Sequence, residues 1–122
     1  MLKNAFLVFI GGGLGSVLRY LLSKYLNTSS LPIGTFTVNI LGSLLLGITF
    51  GLLLKYQPAS STANLLFGVG FCGGFTTFST FAVENQVFLR AGDYSHFLLY
   101  AFGSLLFGIL AVFLGLFLSK LF

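Results

Sequence analysis

The chain has 122 residues, of which only eight carry a formal charge, while 57% are apolar and sixteen are Phe. Charged residues are thus 7% of the chain, against about 25% in soluble domains; a soluble globule of this composition would expose large apolar patches and aggregate, and a disordered chain is excluded by the same lack of polarity. The class that remains is an integral membrane protein, and the net charge of +4 is carried by cations scattered singly, not gathered into a nucleic-acid-binding patch.

At about 20 apolar residues per crossing, this length allows four or five helical spans in one transmembrane domain, residues 1–122. The first span runs roughly from Asn4 to Leu22. Lys3 followed by an apolar run imitates a signal peptide, but no small-x-small cleavage site follows and the rest of the chain is equally apolar. Turn formers from Asn27 to Pro32 separate it from a second span over Ile33–Leu54. A loop over residues 57–62 follows, including Gln57, Pro58, Ala59 and Ser60. The third span covers about 63–90, with a break expected near 73–80. Ala91, Gly92 and Asp93 form the last turn, and the fourth span runs from about His96 to Leu118. The expected fold is therefore an all-α membrane protein of four helices with a broken third, in a dimeric bundle because four thin helices enclose little space. A multi-pass protein of the cell (inner) membrane follows.

Four spans put both termini on one side. Lys3, Lys55 and Lys120 then lie at one face, and Arg19, Lys24 and Arg90 at the other. Three against three leaves no positive-inside asymmetry, which favours insertion both ways and an antiparallel pair. Small residues recur at four-residue spacing: Gly11 and Gly15; Ser43, Gly47 and Gly51; Gly70 and Gly74; Ser104 and Gly108. Such spacing lets helix backbones approach closely in lipid and carries no function by itself. The glycines from Gly11 to Gly15 lack the Lys-Ser/Thr ending and preceding strand of a phosphate loop. A single Cys72 leaves no internal disulfide and no Cys-based metal site.

Polar residues at membrane depth are costly and therefore informative. Asn39 lies a third of the way into the second span, suited to an interhelical hydrogen bond or to a binding site. The segment Gly73-Gly74-Phe75-Thr76-Thr77-Phe78-Ser79-Thr80-Phe81 puts two glycines and four hydroxyls in the third span, a composition that breaks helices. Freed backbone groups there must be met by protein or water, and broken helices of transport proteins use such groups to bind ions. Phe78 and Phe81, three apart, share a helical face, and a ring edge carries partial positive charge that can face an anion. Glu84 continues that face; its partner is Arg19, a Thr/Ser hydroxyl or a transported proton, unless it snorkels from the span end. Tyr100 and Ser104 make a thin polar stripe on the fourth span. Arg19 lies near the end of the first span; Asp93 and His96 are interfacial and have no role.

At these residues the sequence resembles the Fluc (CrcB) family of small fluoride channels. Three segments carry the likeness: Gly12 to Tyr20 (GGLGSVLRY), Gly34 to Gly42 (GTFTVNILG), and Gly70 to Phe81 (GFCGGFTTFSTF) followed by Glu84. The resemblance implies passive fluoride export through an antiparallel homodimer with two pores. It implies pore or fluoride-binding roles for Asn39, Phe78, Ser79, Thr80, Phe81, Glu84, Tyr100 and Ser104, and a vestibule role for Arg19. It also implies a central structural sodium ion held by the backbone carbonyls of Gly73 and Thr76. One departure is that Gly108 stands where the family often places another hydroxyl on the stripe of Tyr100 and Ser104. A proton-coupled small multidrug transporter, also of four spans, would use Glu84 as its essential carboxylate, but this carboxylate lies in the third span instead of the first and the chain has no Trp. A membrane assembly protein without transport leaves the Thr/Ser/Phe cluster unexplained. Nothing supports an enzyme, because no base, nucleophile and orienting partner stand at usable spacing.

Overall fold

A computed structural model describes residues 1–56, 58 and 61–122. The expected loop residues Gln57, Ala59 and Ser60 lie outside that set. Helix α1 is Leu2–Leu26 and α2 is Ile33–Tyr56. The third span comprises a π-helical segment π1 (Asn64–Cys72), a short α3 (Gly73–Phe75) and α4 (Ser79–Arg90). Helix α5 is Tyr94–Ser119. Four stretches are long and apolar enough to cross a membrane, and the third is the least apolar of them. The protein is thus a multi-pass membrane protein, and Phe6, Phe9, Phe113 and Phe117 are exposed on the surface of the single chain.

Local chemistry sets the helix ends. The Asn27 carboxamide oxygen accepts from the amides of Gly34 (2.7 Å) and Thr35 (3.2 Å), capping the start of α2 from the preceding loop. Asp93, which the sequence left without a role, caps α5 by accepting from the His96 amide at 3.2 Å. Between α4 and α5, Gly92 has φ +71°, a left-handed conformation that glycine adopts without a steric penalty.

Two seams hold the bundle. Helix α1 lies against π1 and α3, where a Cβ on Gly11 would meet the Phe71 amide at 2.9 Å and one on Gly15 would meet the Phe75 amide at 2.8 Å. Helix α2 lies along α5 through Gly47 and Gly115; a Cβ on Gly115 would sit 2.7 Å from the Ile48 amide. These contacts make Gly11, Gly15, Gly47, Gly51, Gly70 and Gly74 hard to enlarge. Ser43, Ser104 and Gly108 are the exceptions and line a groove. Gly108 does not serve a close seam, since the nearest atom to a Cβ placed there is the Ser43 hydroxyl at 3.8 Å.

The break is narrower and later than the composition suggested. Gly73 keeps helical angles (φ −62°, ψ −39°), and the chain leaves the helix only at Thr76, with ψ 159°. Only Gly74 of the pair is required by packing: a Cβ there would strike the Gly12 backbone, whereas one on Gly73 would meet nothing within 4 Å. The turn in the chain is made instead by Thr76, Thr77 and Phe78. The π-helical stretch before it, a rare geometry seen mostly as single turns near functional sites, has no signature in the sequence.

Candidate functional site

The broken third helix leaves two half-helix ends facing each other within the bundle. Each end has backbone groups that no helical turn can satisfy. At the carbonyl end of α3, the Gly74 oxygen accepts from Arg19 Nε at 2.9 Å and from the Ser16 hydroxyl at 3.4 Å. A cation at a helix C-terminus also complements the dipole. The Cys72 carbonyl accepts from the Thr76 amide (3.0 Å) and the Thr76 hydroxyl (2.9 Å). At the amide end of α4, the Thr77 hydroxyl accepts from the Thr80 amide at 3.2 Å. Arg19 therefore does not stand at the end of its span. Helix α1 continues to Leu26, about 10 Å farther at 1.5 Å per residue, and the guanidinium turns to the break.

Asn39 bridges the gap between the halves. Its Nδ2 donates to the Thr77 carbonyl at 2.9 Å and its Oδ1 accepts from the Thr77 amide at 2.8 Å. One side chain on α2 thereby replaces both backbone partners that Thr77 lost on leaving the helix. This resolves the alternatives for Asn39 in part: it makes an interhelical hydrogen bond, and it also lines an open groove.

That groove, about 530 Å³, lies between α2, the break and α5. Asn39 and Ser43 form one wall, Ser104 and Gly108 the opposite one, and Thr77, Phe78 and Phe81 close one end. Phe78 is 79% exposed, an unusual place for a Phe beside polar groups. Its ring lies 5.9 Å from that of Phe81, which in turn tilts against Tyr100 at 5.1 Å. The Ser104 hydroxyl is buried and has no hydrogen-bond partner among the described residues. Ser79 and Thr80 belong to a hydroxyl cluster around Thr77, at 3.4 and 3.2 Å.

Behind Phe81, Glu84 is fully engaged. One oxygen accepts from the Thr35 hydroxyl at 2.6 Å and the other from the Tyr100 hydroxyl at 2.5 Å. Of the expected partners, then, a hydroxyl is found and Arg19 is not. Thr35 is completely buried, and the sequence reading gave it no role. The signal was present: Thr35, Asn39 and Ser43 stand four apart on α2 and so share one face, a stripe as regular as Tyr100 and Ser104 on α5. Thr77 was likewise passed over as one hydroxyl among four. Gly73 is exposed, and no hydrogen bond among the described residues reaches its carbonyl or that of Thr76.

Together, these features define a four-span membrane protein built around a discontinuous helix, with a mainly apolar, aromatic-lined groove beside the break into which a few amide and hydroxyl groups project, and broken helices are the means by which transport proteins expose backbone groups to a solute. The chain belongs to the CrcB family: the family described as CrcB-like protein, Camphor Resistance (CrcB), matches residues 6–116. Similar curated proteins share its full length. One from Phocaeicola vulgatus is 44% identical over 122 residues, covering 98% of this chain and all of the other. One from Azobacteroides pseudotrichonymphae is 45% identical over 125 residues, covering all of both. One from Pyrococcus furiosus is 45% identical over 120 residues, covering 98% of each. All three are named fluoride-specific ion channel FluC.

Proposed function

We propose that this chain is a fluoride-selective channel, passing the ion down its gradient and so lowering fluoride inside the cell. Full-length similarity to proteins of that name supports the ion. The observation that carries the mechanism is the groove beside the break, where the exposed Phe78 and the half-buried Phe81 meet a buried hydroxyl with no partner among the described residues.

Fluoride is small and tightly hydrated, and baring it in hydrocarbon costs tens of kcal/mol. A path for it must offer many donors in place of water, none holding it so firmly that it cannot leave. In this reading the edges of Phe78 and Phe81 face the ion. Asn39, Ser79, Thr80, Tyr100 and Ser104 supply amide and hydroxyl donors, and Glu84 orients the Tyr100 hydroxyl. Arg19 places a fixed positive charge near the break and draws anions towards it.

The finer parts of the reading concern assembly. An antiparallel homodimer agrees with the small asymmetry that remains among the end cations once Arg19 turns to the break: Lys3, Lys55 and Lys120 against Lys24 and Arg90. A sodium ion would be held by the carbonyls of Gly73 and Thr76. Their fit rests on their being unpaired while the neighbouring Cys72 and Gly74 carbonyls are bonded. Two oxygens from one chain do not replace a cation's hydration shell, so a second copy would complete the set.

The test is efflux from liposomes holding the purified protein, read with a fluoride electrode and with chloride as the control. Fluoride release without chloride release is expected. Equal release of both, or of neither, would refute the assignment.

A further inference from the structure

We propose that Ser43 supplies the hydroxyl that the α5 stripe lacks at Gly108, so that the ion path crosses from one wall of the groove to the other. The inference rests on the fluoride-channel reading and adds a donor to it.

Three observations carry it. First, the polar stripe of α5 runs Tyr100, Ser104, and then stops, because the next position on that face, Gly108, has no side chain. Second, the empty space over Gly108 is not empty of polar atoms. A Cβ built on Gly108 finds only the Ser43 hydroxyl within 4 Å, at 3.8 Å. A side chain at 108 and the side chain of Ser43 would therefore serve the same space. Third, Ser43 is the member of the α2 stripe farthest along the chain, after Thr35 and Asn39, and lines the same groove as the Ser104 hydroxyl, which has no partner among the described residues.

The chemistry needs one local change. The Ser43 hydroxyl now donates to the Asn39 carbonyl at 2.6 Å, one turn back in its own helix. Such a bond is a secondary one, since a helical carbonyl keeps its place in the backbone ladder without it. Turning the hydroxyl about its Cβ–Oγ bond redirects the proton into the groove. There, an anion accepts a charge-assisted hydrogen bond, roughly twice as strong as the neutral one given up. The donor is thus parked on Asn39 when no ion is present and released to one that arrives.

The experiment compares fluoride efflux from liposomes for the wild type, Ser43→Ala, Ser43→Thr and the double variant Ser43→Ala/Gly108→Ser. Ser43→Ala is expected to slow efflux about tenfold, the scale of one lost hydrogen bond to a charged group. Ser43→Thr keeps the hydroxyl and should stay within about threefold of wild type, the context dependence of one such bond. The double variant restores the hydroxyl from the opposite wall and should recover most of the rate, which a purely structural role of Ser43 in α2 does not predict. Wild-type efflux in Ser43→Ala, or a double variant no faster than Ser43→Ala, would overturn the inference while leaving the channel reading intact. Absence of fluoride efflux from the wild type itself would remove both.

Discussion

Asn39→Ala tests the join between the two halves of the third helix. The substitution removes the 2.9 Å bond to the Thr77 carbonyl and the 2.8 Å bond from the Thr77 amide. At about 1 kcal/mol net per hydrogen bond, the floor for the loss is about 2 kcal/mol. Leaving both backbone groups unsatisfied in a hydrophobic span raises this to about 4 kcal/mol, and water entering the groove recovers part of the difference. With 1.36 kcal/mol per factor of ten, local opening becomes about 30-fold to a thousandfold more frequent. Hydrogen–deuterium exchange of the purified protein reads this directly in the segment 73–81, where amide protection should fall by that factor. Asn39→Asp is the companion variant: it keeps an acceptor for the Thr77 amide but sets a second oxygen with no donor against the Thr77 carbonyl, so it too should lose protection across 73–81. Unchanged exchange across 73–81 in Asn39→Ala would show that the break holds itself, and would refute the bridging role.

Three further outcomes are expected. Phe78→Ile and Phe81→Ile should each abolish fluoride efflux while the protein still elutes as a folded species, because isoleucine has no positive ring edge; full efflux in both would remove these rings from the path. Tyr100→Phe deletes one donor to Glu84 and Thr35→Val the other, so each should destabilise the fold by about 1–3 kcal/mol in thermal unfolding, and unaltered unfolding temperatures would mean that the carboxyl does not depend on them. Reporter fusions at the C-terminus should give signal on both sides of the membrane, and signal confined to one side would end the antiparallel assembly.

Much of the architecture could be read before any coordinates, since lipid makes composition decisive. Every backbone polar group in the bilayer must be paired within the protein, so four long apolar runs can only be helices, and their observed ends fall within a few residues of those expected. The third span was recognisable as interrupted for the same reason, because Gly73 to Thr80 is too rich in glycine and hydroxyls to run through unbroken. The residues doing the interrupting were less legible. Gly73 and Gly74 are poor helix formers, yet they stay helical, since Gly74 is needed where α3 crosses Gly12 and propensity yields to packing.

The scarcity of charge in 122 residues determined by itself that this is a membrane protein, and its few polar positions stood out as the groups that would need partners in the bilayer. Which of those positions are joined was decided only by the tertiary structure. Thr35 meets Glu84 across 49 positions, Arg19 meets Gly74 across 55, and Asn39 meets Thr77 across 38. Spacing along one helix specifies a face, but it says nothing about which other helix that face will touch. Asn39 and Ser43 of α2 face Ser104 and Gly108 of α5 across one groove because the Gly47–Gly115 seam brings the two helices together. A hydroxyl or amide at membrane depth has no water to fall back on, so that seam also dictates which groups are consumed in holding the break and which face the groove.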